Sequence, residues 1–382
     1  MKNIIYLDNG ATTKPDIKAI EYASAFITDN YFNPSATYHE GIQVANELKS
    51  AKETFKKVIG NNFEILFTSC GTESDNTAVF SYSKRGNIVT TLAEHSAIHA
   101  PFTHLKNQGL DVRFAKINED GSVNIDSLLS LIDKNTTFVS VIHVNNETGA
   151  INDINKIAKL IKQINPSVIF HSDGVQAFMK IPYALSNDID LYSVSAHKIN
   201  ALKGTGALFI NKRIKNLKPL ILGGGQENGL RSGTENVYGI KVFEYATKKH
   251  YETLVSDYNK VKQLKQLLLS NLNYDIFKVI SSNNASPYVI SLSAVGLKGE
   301  VLMHSLEEDG IIIGTGSACS SKNRHSRALK EAGHDENVLD GVIRISFSYE
   351  STEEEVKYLI EKLNLRAENL KRTIYKLQWK KY

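Results

Sequence analysis

Between about residue 60 and residue 210, short β-rich runs alternate with amphipathic stretches, and this constrains the fold more than any other feature of the chain. The runs are EILFT (64–68), NIVTT (87–91), VRFAKI (112–117), TFVSVIHV (137–144), SVIFHSD (167–173), LYSVSAH (191–197) and ALFI (207–210). Polar helical segments separate the first five. One of them, Asp153–Ile164, carries Ile154, Ile157, Ala158 and Ile161 on a single helical face. Apolar runs of this length, spaced by helices, predict parallel strands buried on both faces of a sheet. The fold class is therefore α/β, built in layers.

After GGGQENGLRSGTEN (223–236) the pattern changes. A long helix is expected over roughly 236–272, followed by shorter strands and helices. The last helix starts after Ser351 and Thr352, where Glu354 and Glu355 offer two overlapping capping boxes. The chain divides into a large α/β domain, residues 15–244, and a smaller α+β domain made of 1–14 and 245–382. At 382 residues, with 42% hydrophobic and 23% charged, it has enough apolar material for both. A net charge of +4, with 45 basic against 41 acidic residues, is too small for a nucleic-acid footprint, and no direct DNA binding is expected. The basic cluster KRTIYKLQWKKY at the C-terminus reads first as a solvated helix end. With only Cys70 and Cys319 there is no disulfide framework. MKNIIYLDNGATT lacks the apolar core of a signal peptide, and no later stretch could span a bilayer. A cytoplasmic setting is expected.

Three segments at predicted strand ends carry chemistry. In TSCGTESDN (68–76) a strand meets a Gly turn, and Thr72, Glu73 and Ser74 open a helix. Free N–H groups, a hydroxyl and a small Gly71 suit a phosphate. In HSDGVQA (171–177), Asp173 closes a strand at the edge where open α/β sheets bind ligands, and a carboxylate there needs a cation or donors. It could equally cap a turn. In SAHKIN (195–200), Ser195 and His197 are candidate phosphate donors, and Lys198 follows an apolar strand, a setting that suits a Schiff-base lysine better than a surface charge. A lysine, an acid and a phosphate site are the requirements of pyridoxal phosphate. His95, His99 and His104 supply too few ligands on one helix face for a closed metal site.

YLDNGATT, TSCGTESDN, EHSAI, HVNNETG, SDGVQA, SAHKI, GGGQENGLRSGTEN, GTGSACSS and GVIRISFS stand in the order found in NifS/IscS-type cysteine desulfurases. From Tyr6 to about Glu355 the chain resembles that group of the class V aminotransferases. The resemblance implies a fold-type-I pyridoxal phosphate homodimer acting on L-cysteine. It implies that Lys198 holds the cofactor as an internal aldimine and moves protons, that Asp173 pairs with the pyridinium nitrogen, and that Gln176 donates to the phenolic oxygen. His95 would stack on the ring. Gly71, Thr72, Ser195 and His197 would hold the phosphate, with Thr234 added by the dimer partner. Asn146 and Arg344 would bind the substrate carboxylate, for which Arg offers a planar fork.

Cys319 lies in GTGSACSSKNRH, among Gly, Ser and Ala and ahead of Lys322, Arg324 and His325, cations that favour a thiolate. By resemblance it takes the substrate sulfur as a persulfide, leaves alanine, and passes the sulfur to an acceptor protein for iron–sulfur cluster assembly or tRNA thiolation. The chain departs from the family pattern in three places. Cys70 replaces the usual Gly and reads as structural filler, Gly10 replaces Ala, and Asn200, Ala201 and Leu202 alter the turn after Lys198. The competing readings are a selenocysteine lyase or an aminotransferase on the same scaffold, and a non-catalytic sulfur-relay scaffold.

Overall fold

The computed structural model of the protein describes residues 4–83, 86–315 and 325–379, with side chains as far as residue 373. Its centre is a seven-stranded sheet. Across the sheet the strands run Phe63–Thr68, Gly206–Asn211, Leu191–Ser195, Ile169–Asp173, Thr136–Ser140, Asn87–Thr91 and Asp111–Ala115. Six run in one direction. Gly206–Asn211 runs against both of its neighbours, with Phe63 opposite Asn211 and Leu191 opposite Ile210. The sheet is thus mostly parallel, as expected, with one reversed strand. The run 207–210 follows its predecessor after a short turn, so it can fold back beside it; a parallel return needs a crossover of a dozen residues or more.

Both faces of the sheet are covered, which is why its strands read as apolar runs instead of clean alternations. Ile65, Phe67, Val89, Val139, Phe170, Val194 and Phe209 face one core. Leu66, Ile88, Phe138, Leu191, Leu208 and Ile210 face the other. The period of two is intact within each strand. Helices His39–Ile59 and Ile154–Ile164 close the first core, the latter through Ile154, Ile157, Ala158 and Ile161, the face read from the sequence. Each such isoleucine contributes about 1.5–3 kcal/mol by leaving water. Helices Gly71–Tyr82 and Ser96–Asn107 close the second.

Helix Val237–Ser270 joins this layer to a further core. Val237, Ile240, Val242, Phe243 and Ala246 pack with the large sheet, while Val261, Leu264 and Leu268 pack with Ile290, Leu292, Ile343 and Ile345. The latter four come from a three-stranded antiparallel sheet ordered Val342–Ile345, Ile290–Ala294 and Phe277–Val279. Ile5–Tyr6 pairs in parallel with Ile311–Ile312, and Leu7 enters the same core. The N-terminal segment is therefore tied to the C-terminal part of the chain before it crosses to the large sheet. Helix Glu353–Trp379 packs Val356, Leu359 and Leu363 onto this core. One of the two capping boxes forms: Glu355 N donates to Thr352 Oγ1 at 3.2 Å and Thr352 N to Glu355 Oε2 at 2.9 Å. Ser351 is used elsewhere, its Oγ accepting from Ser348 N.

Candidate active site

A cavity of about 300 Å³ opens at the carboxyl edge of the large sheet, where open α/β sheets bind ligands. Five sheet strands deliver residues to it at or just past their ends, three of them the candidate cofactor groups, and the N-terminal segment closes one wall. Thr13 N and Thr13 Oγ1 both donate to His197 O, and Asn200 N donates to Thr13 Oγ1 at 2.7 Å. Asn200 has φ +61°, a left-handed conformation that asparagine tolerates better than most residues. Asn200 belongs to the Asn200–Leu202 segment that departs from the family pattern.

At the first strand end, Cys70 is the N-cap of helix Gly71–Tyr82. A Cβ on Gly71 would lie 2.7 Å from Val175 Cγ2, so the helix start is pressed against the turn that follows Asp173. Gly71, Thr72, Ser195 and His197 all line the cavity. Ser195 Oγ is buried without a hydrogen-bond partner, and a buried hydroxyl left unpaired costs about 1–3 kcal/mol. Oriented helix N–H groups beside an unpaired hydroxyl make an anion cradle. His197 Nδ1 lies 3.1 Å from Thr12 Oγ1, and burial with the charges of Lys198, Lys180 and Lys203 pushes its pKa down to about 4. Cys70 was expected to be structural filler, but it lines the cavity.

At the second strand end stands Asp173, buried, with Oδ1 accepting from Val175 N at 2.9 Å. Burial raises its pKa to about 6, although the Val175 N–H and Lys198 pull the other way. Asp75 is also buried here, with Oδ1 unpartnered, and burial and the Asp173 charge hold its pKa well above the usual range. Behind them His171 is clasped between Ser140 Oγ and Ser193 Oγ, each at 2.9 Å. Burial pushes the His171 pKa down to about 3, so the ring that approaches Asp75 Oδ1 to 3.6 Å is neutral.

At the third strand end, Ala196–Lys198 form one 3₁₀ turn. Lys198 Nζ donates to Gly10 O at 2.6 Å and Ala11 O at 2.7 Å. Gln176 Nε2 donates to the same Gly10 carbonyl at 2.8 Å. His95 caps helix Ser96–Asn107 through Nδ1, which accepts from Ala97 N at 3.2 Å. Burial and the charges of Lys198, Arg327 and Arg344 push its pKa down to about 4, so the imidazole facing the cavity is neutral.

Arg344 and Asn146 complete the wall. Arg344 Nη2 pairs with Asp8 Oδ1 at 2.8 Å and Nη1 donates to Asn146 O at 3.0 Å. Its Nε is buried without a partner. Gly10 N donates to Ser346 Oγ at 2.7 Å, and a Cβ on Gly10 would lie 3.1 Å from that oxygen and 3.3 Å from Arg344 Nε. An alanine here fits if Ser346 and Arg344 give by a few tenths of an ångström.

Cys319, Lys322 and Arg324 lie outside the described residues. On one side of that segment, Gly314 exchanges backbone hydrogen bonds with Arg344. On the other, Arg327 donates to Leu92 O and Glu94 O, beside His95, and His325 meets Asp340 at 2.6 Å. Thr234 is exposed and does not line this chain's cavity. Among the described residues no group of three or more His, Cys, Asp or Glu side chains could hold a metal ion, and no helix is long and apolar enough to cross a membrane.

The residues that sequence reasoning missed are Asp8, the Gly10 and Ala11 carbonyls, Asp75 and Lys180. Asp75 lay inside a recognised motif, and Lys180 showed itself as a lone charge in the apolar stretch AFMKIP.

Residues 5–359 match the family model described as aminotransferase class-V. A protein of Nostoc sp. named cysteine desulfurase is 35% identical, over 97% of this chain and 94% of its own length. Azotobacter vinelandii cysteine desulfurase NifS is 32% identical, over 94% and 91%. Among solved structures, a NifS-like protein 33% identical superposes with a TM-score of 0.88, covering 95% of this chain and 98% of its own. A structure described as SspA in complex with cysteine, 26% identical, gives 0.75 over 91% and 100%.

Proposed function

The chain belongs to the class-V aminotransferase family, and on that premise we propose that it is a pyridoxal-phosphate-dependent cysteine desulfurase. It converts L-cysteine to L-alanine and moves the sulfur to Cys319. The observation that carries this reading is one cavity holding the Lys198 amine, the buried Asp173 carboxyl and the unpaired Ser195 hydroxyl.

These residues fit the cofactor. Ser195 Oγ, the Gly71–Thr72 helix start and His197 would take the phosphate, and Ser195 would then gain the partner it lacks. Asp173 would face the ring nitrogen, where a positive charge offsets the cost of burying a carboxylate. Gln176 would serve the phenolic oxygen, His95 the ring face, and Lys198 the aldehyde carbon. When bound, pyridoxal phosphate supplies the electron sink for charge left at the substrate α-carbon.

The chain's own residues do the rest. Arg344 is held in place by Asp8 and by the Asn146 carbonyl while its Nε remains unspent. That N–H is a ready donor for the substrate carboxylate, with the Asn146 side chain beside it. Lys198 carries the proton removed from the α-carbon. His95 is kept neutral by burial, and with Nδ1 accepting from Ala97 N its other ring nitrogen carries a hydrogen that it can donate to a reacting group. At Cys319 the substrate C–S bond breaks and an S–S bond forms, so that cysteine and a thiol become alanine and a persulfide.

Two copies would assemble, with the partner subunit's Thr234 reaching the phosphate. Thr234 is exposed, and so are Leu220, Ile221 and the 80%-exposed Leu222 shortly before it in sequence. The sulfur would leave through an acceptor protein of iron–sulfur cluster assembly or tRNA thiolation, in the cytoplasm. Borohydride reduction of the holoenzyme followed by peptide mapping tests the reading: the label belongs on Lys198, and a label on another lysine contradicts it.

A further inference from the structure

Lys180 is buried beside the proposed cofactor site, and no carboxylate pairs with it among the described residues. The other two buried lysines are satisfied in ordinary ways. Lys241 bridges Glu47 and Glu244, and Lys265 donates to the carbonyls of Ser282 and Ala285. Lys180 Nζ instead donates to Gln176 Oε1 at 2.9 Å. It also lines a small second cavity together with Lys198, Asn200 and His250.

This contact has a chemical consequence. A glutamine amide has a donor end and an acceptor end, whereas an ammonium only donates. A protonated Lys180 therefore accepts only one orientation of the amide, with Oε1 towards itself. Nε2 is then forced to the opposite side, where it donates to Gly10 O, the carbonyl that also receives Lys198 Nζ. The chain Lys180, Gln176, Gly10 O and Lys198 is continuous, and its polarity is set from both ends, by Lys180, which only donates, and by Gly10 O, which only accepts.

We propose that Lys180 is a positioning residue of the cofactor site: it locks the Gln176 amide so that Nε2, and not Oε1, is presented to the phenolic oxygen of the cofactor. The inference rests on the pyridoxal phosphate reading above. Without Lys180 the orientation is held from the Gly10 side alone, and an amide that turns over sets an acceptor against an oxygen that carries negative charge.

The test uses full-length K180M, K180R, Q176A and the K180M/Q176A double variant at pH 6. Burial and the charges of Lys198 and Arg344 push the Lys180 pKa down to about 7, so at pH 6 the amine carries its proton. Three readouts are taken: the visible absorption maximum of the holoenzyme, the Kd of the apo protein for pyridoxal phosphate, and the apo melting temperature. K180M should shift the band and weaken cofactor binding about tenfold or more, the scale of one charge-assisted hydrogen bond. K180R, which also only donates, should restore both. In the Q176A background, K180M should change neither further.

A K180M band and Kd within twofold of wild type would overturn the proposal. So would an undiminished K180M effect in the Q176A background, or a lowered apo melting temperature with an unchanged band. If K180M does not fold, K180Q takes its place, because it keeps the volume and admits either amide orientation; an unchanged band in K180Q is equally fatal. Failure of the wild-type protein to take up pyridoxal phosphate would defeat the functional reading itself, and that result is distinct from all of these.

Discussion

Asp173→Asn should make the apo protein more stable while disabling the enzyme. Burial raises the Asp173 pKa from 3.8 to about 6, and no cation among the described residues offsets this fully. The folded state thus binds the proton more tightly than the unfolded state does. Below about pH 4 both states are protonated and the residue costs nothing. As pH rises from about 4 to about 6 the unfolded chain ionises first, so stability is lost across that window and stays lost above it. A gap of about two pH units corresponds to about 3 kcal/mol. Asparagine cannot ionise, keeps an oxygen for the Val175 N–H, and has nearly the same volume. Urea unfolding of the apo protein at pH 8 should therefore show the variant about 3 kcal/mol more stable, and at pH 5 about half of that. Removing the Asp173 charge also relieves Asp75, whose carboxyl it repels. Turnover by the reconstituted variant should fall by about a hundredfold or more, since a charge aimed at the reacting system is lost. An apo variant no more stable than wild type at pH 8, or a gap that does not widen between pH 5 and pH 8, refutes this reasoning.

Gly71→Ala places a Cβ 2.7 Å from Val175 Cγ2, so cofactor affinity should drop by about five- to a hundredfold, the range that 1–3 kcal/mol of overpacking allows. Titration of the apo protein checks this, and a second change, Val175→Ala, should restore binding. His95 is neutral above about pH 4, so nuclear magnetic resonance of the ring should report no protonation between pH 5.5 and 8. A midpoint near 6.5 contradicts the described burial. Arg344→Lys keeps the charge but loses the fork and the Nε donor; KM for L-cysteine should rise about tenfold or more, and an unchanged KM removes Arg344 from the substrate site.

What the sequence revealed and what it hid divide along physical lines. Asp173 and Lys198 were legible because each follows an apolar run, and sheet geometry sends the ends of such runs to one edge. The Ile154–Ile161 face was legible from helical periodicity. The reversed strand Gly206–Asn211 was not, because buried strands of either direction read as the same apolar run. Gly10 and Ala11 were named within a motif, yet their function lies in backbone carbonyls, which carry no residue signature. Asp8 is separated from Arg344 by 336 positions, and the pairing of Ile5–Tyr6 with Ile311–Ile312, together with the bridge between Asp8 and Ser346, brings the two ends of the chain together. Ser351 offered the same capping pattern as Thr352, but its hydroxyl was already taken by Ser348 N.

The most direct test of the account is turnover of L-cysteine by the purified holoenzyme with no amino-group acceptor present, following alanine by amino-acid analysis and the Cys319 peptide by mass. The account predicts alanine in step with sulfur, a persulfide on Cys319, and neither product from Cys319→Ser although that variant keeps its bound cofactor. Alanine formation at the wild-type rate by Cys319→Ser, or no alanine without an added keto acid, would contradict it.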